Sequence, residues 1–161
     1  MDSLPERAGT TGAEVWRRLL FVMPDICLRP FGMAVMPHPP ALAEYDGAQN
    51  IYYSDALSEP EAAMAVLHEL GHAYLHPPGS GEFAPNRLDE DEEQLVHAAA
   101  AQACAQLGLP GYVTAMASRG APEHLLAPVS PQIQTQVDEI AAFLEAIVRD
   151  YEHPPAWPGR D

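Results

Sequence analysis

The sequence predicts an α+β domain of three to four helices with a short antiparallel sheet. Three observations carry this. Apolar residues recur at helical spacing through the segments around 59–76, 89–107 and 130–151. Two short apolar runs flank Asp46-Gly47, a pair that favours a hairpin turn. A chain of 161 residues, 47% hydrophobic and 19% charged, suits one globular domain with a real core. The expected domain spans 12–152, between mobile tails at 1–11 and 153–161.

From about Thr11 to Met23 the chain reads as a helix, with Val15, Leu19 and Val22 on one face and Pro24 closing it. The run 32–39, GMAVMPHP, is short, apolar and bounded by Gly and Pro, and predicts a strand. Strands near 42–45 and 49–53 form the hairpin. Ser58-Glu59-Pro60-Glu61 is a capping box that starts a helix running to Pro77-Pro78. After a loop over 77–87, the acidic run DEDEE opens another helix, suited to the positive end of the helix dipole, and Gly108 stops it. A short helix is expected around 114–118. The last long helix starts at Ser130-Pro131, with Ile133, Val137, Ile140, Leu144, Ile147, Val148 and Tyr151 recurring at helical spacing.

The formal net charge of −15 would repel a phosphate backbone, so direct nucleic-acid binding is not expected. The LLFVM run at 19–23 is too short for a signal core or a membrane span. Cys27 and Cys104 are far apart in sequence and read as buried, reduced thiols. A soluble, cytoplasmic protein is the expectation.

Within the capped helix stands HELGH, His68 to His72. One helical turn separates the two histidines, so both imidazoles reach one cation, and zinc favours such ligands. Glu69 lies about 100° round from His68, beside the metal position and not on it, where a general base belongs. Gly71 leaves the surface bare between the ligands for another element to approach. Chance alone would place H-E-x-x-H in roughly 3% of shuffled versions of this chain, so its helical context decides.

A catalytic zinc also needs a third protein ligand. Leu75 and Pro78 occupy the positions where a metzincin carries glycine and its third histidine, so that pattern is absent. The following helix offers Asp91, Glu92 and Glu93. Its phase puts Gln94, Ala98, Gln102 and Gln106 on the wet side and Val96, Ala100, Cys104 and Leu107 opposite. Glu93 falls in the buried cluster and Glu92 on its flank, which favours Glu93 as ligand with Glu92 as the alternative. His97, one turn after Glu93, is either a group orienting Glu93 or a water, or a core histidine. His76 reads as a C-terminal residue facing the helix dipole. His38, His124 and His153 have no partner pattern.

HELGHAYLHP, followed about twenty residues on by a helix carrying a glutamate and an alanine-rich face, resembles the ImmA/IrrE metallopeptidase-like family, small gluzincin-type domains. Glu93-Gln94-Leu95-Val96-His97-Ala98 lies over that family's second motif and keeps only its glutamate and final alanine. The family's Arg and Phe before HELGH are replaced by Glu61-Ala62-Ala63-Met64. The resemblance implies a zincin-like fold, one zinc ion on His68, His72 and Glu93, and Glu69 as base. It also implies hydrolysis of a peptide bond in a protein partner, typically a DNA-binding repressor or antitoxin-like regulator. The substrate would lie along an edge strand near 50–53, where Tyr52 or Tyr53 is a candidate donor to the oxyanion or a simple packing residue. Two other classes stay open: a zinc-containing binding or toxin-component module without proteolysis, and a metal-dependent amidase acting on a small molecule. The intact Glu69 favours an enzyme.

Overall fold

A computed structural model describes residues 8–21, 25–32, 35, 42–78 and 89–158. Its described part is α+β, with five helices and a three-stranded mixed sheet: α1 (Ala8–Phe21), β1 (Cys27–Phe31), β2 (Ala43–Tyr45), β3 (Asn50–Ser54), α2 (Glu59–Leu75), α3 (Glu90–Gln106), α4 (Tyr112–Ser118) and α5 (Gln134–Arg149). Single 3₁₀ turns at Glu123–Leu126 and Pro131–Ile133 lead into α5.

The hairpin forms where Asp46-Gly47 placed it. Asp46 Oδ1 accepts from the backbone N–H groups of Ala48, Gln49 and Asn50 at 2.8–3.0 Å, and Gly47 takes the φ of 80° that the turn requires. β2 pairs antiparallel to β3 with Ala43 opposite Tyr53 and Tyr45 opposite Ile51.

The sheet is not all antiparallel. β1 runs parallel to β3 from Cys27↔Asn50 to Phe31↔Ser54, giving the order β1-β3-β2. β3 is therefore the central strand, not an edge. The first described strand is 27–31; of the strand expected at 32–39 only Gly32 and Val35 are described, neither is strand, Val35 is exposed, and the other positions lie outside the described residues. Pro30 disguises β1 in the sequence, because a residue without an N–H is tolerated on an edge strand and reads as a break. Cys27 sits on this edge and is exposed, contrary to expectation, while Cys104 is buried.

α2 is the spine. Its capping box closes as the sequence requires: Ser58 caps the Glu61 N–H, and the Glu61 side chain returns to the Ser58 N–H. Every residue from Ala62 to Ala73 is buried, so the single stripe expected of this helix is in fact burial all round. It packs against α1, α3, α5, β2 and β3. The cluster of alanines along α2 and α3 and the apolar face of α5 form the core between the helices.

α1 begins at Ala8, inside the segment expected to be a tail, and buries Val15 and Leu19; Val22 and Pro24 lie outside the described residues. Arg18 on α1 is buried, bonded to Glu14 at 2.8 Å and to the Val148 carbonyl at 3.3 Å, which ties α1 to the end of α5. At the other terminus Trp157 is only 2% exposed and packs at a tilt against Phe143, with ring centres 5.2 Å apart. The packed domain thus extends past the expected boundary at 152, because an indole that large removes more apolar area from water than a polar tail would. Among the described residues no helix is long and apolar enough to cross a membrane.

Candidate metal centre

α2 and α3 cross at Gly71. A Cβ there would stand 2.7 Å from Val96 Cγ1, so only a bare backbone admits α3 this close. The crossing brings the start of α3 against the motif. Asp89 caps that start by accepting from the Glu92 N–H at 3.1 Å, which sets the phase of the next residues. Val96, Ala100, Cys104 and Leu107 are buried as the phase requires.

Glu93 consequently faces His68 and His72. His68 Nε2 lies 3.1 Å from Glu93 Oε1 and His72 Nε2 lies 2.9 Å from Glu93 Oε2. One ligand atom from each of the three residues lies within 4.8 Å of the other two, a group that could hold a metal ion. Two imidazoles and one carboxylate are the donor set of a tetrahedral zinc site with one open position.

The far side of each ring is also held. His72 Nδ1 meets Glu92 Oε2 at 2.6 Å, and the other oxygen of Glu92 meets His76 Nε2 at 2.8 Å. His68 Nδ1 meets the Tyr112 hydroxyl at 3.1 Å, and the same hydroxyl meets His97 Nδ1 at 2.8 Å. Such partners fix ring orientation and turn Nε2 toward a common point. Glu92, the alternative ligand on sequence grounds, instead grips the back of His72. His76 does not simply face the helix dipole, since its ring is bonded to Glu92.

Glu69 is buried and held apart from the three. Its Oε1 accepts from the Tyr45 backbone N–H at 2.9 Å, and its Oε2 stands 3.8 Å from His68 Nε2. That bond also docks β2 on α2, with the Tyr45 hydroxyl donating to the His76 carbonyl at 2.7 Å. Burial pushes the Glu69 carboxyl up, and the charges of His68 and His72 only partly counter it. For Glu93 burial pulls the same way, but the bonds from His68 and His72 win and hold it well below the carboxylate range. Burial opposes a charge on His72, yet Glu92 and Glu93 raise its pKa. Glu92 stays below its ordinary value because the bonds from His72 and His76 overcome its burial. Burial, with His68 alongside, lowers His97 to about 3, and burial raises the Tyr112 phenol well above its usual value.

His97 stands beside the group. Its ring centre is 4.2 Å from that of His68, and its Nε2 is 4.0 Å from Glu93 Oε1. Tyr52 and Tyr53 go elsewhere: Tyr52 packs edge-on against Phe31 and Tyr53 against Trp16, each at 5.0 Å between ring centres. The tyrosines that do reach the motif, Tyr45 and Tyr112, were not singled out in the sequence. Tyr112 had no signal there, since it stands alone after Gly111 in a short helix.

No protein-family model, curated protein or solved structure matches this chain. The chemistry of the centre is accordingly that of its own residues.

Proposed function

We propose that the chain is a zinc-dependent metallopeptidase of the gluzincin type, zincin-like in fold. Its substrate is a peptide bond in a specific protein partner, a transcriptional repressor or antitoxin-like regulator. One observation carries the reading: a buried glutamate stands beside a two-histidine, one-carboxylate donor set but is bonded away from it. Glu69 Oε1 docks β2, but its Oε2 stands 3.8 Å from His68 Nε2, beside the donor set and beyond hydrogen-bond reach of that ring, which a purely structural metal site does not require.

A zinc ion held by His68, His72 and Glu93 would polarise a carbonyl and acidify water there. The chain's own residues supply the rest. Glu69, with its proton affinity raised by burial, accepts a proton from the attacking water and returns it to the leaving amine. Tyr45 N–H holds the carboxylate of Glu69 in one orientation while this happens. Glu92 and Tyr112 keep the two ligand rings from turning. Among the described residues β2 has no strand on its outer side, and its Tyr45 N–H already reaches the motif. An extended peptide would lie along that edge, the role expected of 50–53 before β3 proved to be the central strand.

The test is Glu69→Gln, which keeps shape but removes the base. The variant should bind zinc and partner as the wild type does and cleave nothing. Cleavage by the variant at the wild-type rate, with a helix-turn-helix regulator encoded beside this chain as substrate, sinks the peptidase reading. A wild type that binds such a partner tightly without cutting it favours the non-proteolytic binding module.

A further inference from the structure

The Tyr112 hydroxyl lies between two imidazoles, 3.1 Å from His68 Nδ1 and 2.8 Å from His97 Nδ1. It is buried, and it carries one hydrogen. It therefore donates to one ring and accepts from the other. Hydroxyl donors make shorter bonds than ring N–H donors, and the shorter bond is the one to His97. The same direction follows if His68 uses its Nε2 lone pair for a metal, because its remaining hydrogen then sits on Nδ1.

We propose that Tyr112 is a positioning residue that accepts the Nδ1 hydrogen of His68, donates its own to Nδ1 of His97, and so fixes His97 as an N–H donor at Nε2. That nitrogen faces the side where Glu93 stands, 4.0 Å from Glu93 Oε1 and beyond hydrogen-bond reach of it. A donor there suits a substrate oxygen that gains negative charge during acyl transfer, the carbonyl oxygen of the bond being cut. This role for His97 rests on the peptidase reading; the hydrogen placement rests on the two bond lengths together with a metal at His68 Nε2.

The experiment is imidazole ¹⁵N–¹H correlation spectroscopy of histidine-labelled protein, zinc-free and zinc-loaded, for wild type and Tyr112→Phe, beside zinc affinity by chelator competition. In zinc-loaded wild type, His97 should carry hydrogen on Nε2 alone and His68 on Nδ1 alone. Tyr112→Phe should give His97 a mixture of tautomers and weaken zinc binding by about tenfold to a hundredfold. Hydrogen on Nδ1 of His97 in the zinc-loaded wild type overturns the proposal without needing the variant to fold. So does a folded Tyr112→Phe protein with unchanged tautomers and zinc affinity. If zinc never binds, the metal reading fails and the placement with it, whereas hydrogen on Nδ1 of His97 with zinc bound overturns the placement alone.

Discussion

Glu92 and Glu93 grip opposite nitrogens of one ring: Glu92 Oε2 meets His72 Nδ1 at 2.6 Å, and Glu93 Oε2 meets His72 Nε2 at 2.9 Å. Two adjacent acids thus have different jobs, and substitution separates them. If the three residues hold zinc as proposed, Glu93→Ala removes a ligand and should abolish most of the zinc affinity. Glu92→Ala leaves His68, His72 and Glu93 in place but frees the His72 ring, and should cost about tenfold to a hundredfold in affinity. Chelator competition reads both. Equal losses for the two variants would contradict the assignment.

The crossing of α2 and α3 makes a second expectation. Alanine is a better helix former than glycine by roughly 1 kcal/mol. Gly71→Ala should nevertheless destabilise, by about 1–3 kcal/mol, because its Cβ would press on Val96, whose branched side chain is stiff. Adding Val96→Ala should make the double variant more stable than the sum of the singles implies. Urea unfolding of the four proteins measures the coupling, and simple additivity would count against the close contact.

Trp157 offers a third. Its indole is buried and lies on Phe143, whose ring also meets Tyr74 of α2. Trp157→Ala should cost about 3–5 kcal/mol, the range for emptying so large a buried site. A denaturation midpoint equal to wild type would mean that residues 153–158 are a free tail after all.

Asp46 gives a pH dependence whose sign is fixed. Burial raises its pKa, but the bonds from Asn50, Ala48 and Gln49 outweigh this and leave it below the ordinary 3.8. A depressed carboxyl stabilises the fold above its unfolded value and loses that contribution as pH falls through the folded one. Asp46→Ala should therefore be less stable than wild type by roughly 1–2 kcal/mol at neutral pH. The gap should narrow only in acid below about pH 4. A gap constant from pH 7 to pH 2 would show that the charge of Asp46 does not matter.

Much of this site was legible in the sequence because its signals are local. The capping box at Ser58, the stop at Pro77 and the spacing of His68 and His72 all act within one helix. Helix phase carried the reading one element further, since it selected Glu93 from a run of acids by the same rule that buried Val96 and Cys104. The partners that depend on how elements cross were not legible. Glu92 reads as an alternative ligand on the flank of the buried face, and only the lean of α3 on α2 sets it behind His72. Tyr112 and Tyr45 reach the motif through a short helix and a strand edge, and neither periodicity nor spacing encodes such an approach. The parallel pairing of β1 was hidden for the same reason, as its partner β3 is nineteen residues further on and Pro30 masks its strand character.

The most direct test of the metal centre is the zinc content of the purified protein, with the thermal midpoint measured in zinc and in chelator. The expected result is one zinc per chain in wild type and in Glu69→Gln, with a higher midpoint in zinc, and loss of both in His68→Ala, His72→Ala and Glu93→Ala. A wild type that takes up no metal, and whose midpoint does not move between zinc and chelator, would contradict it.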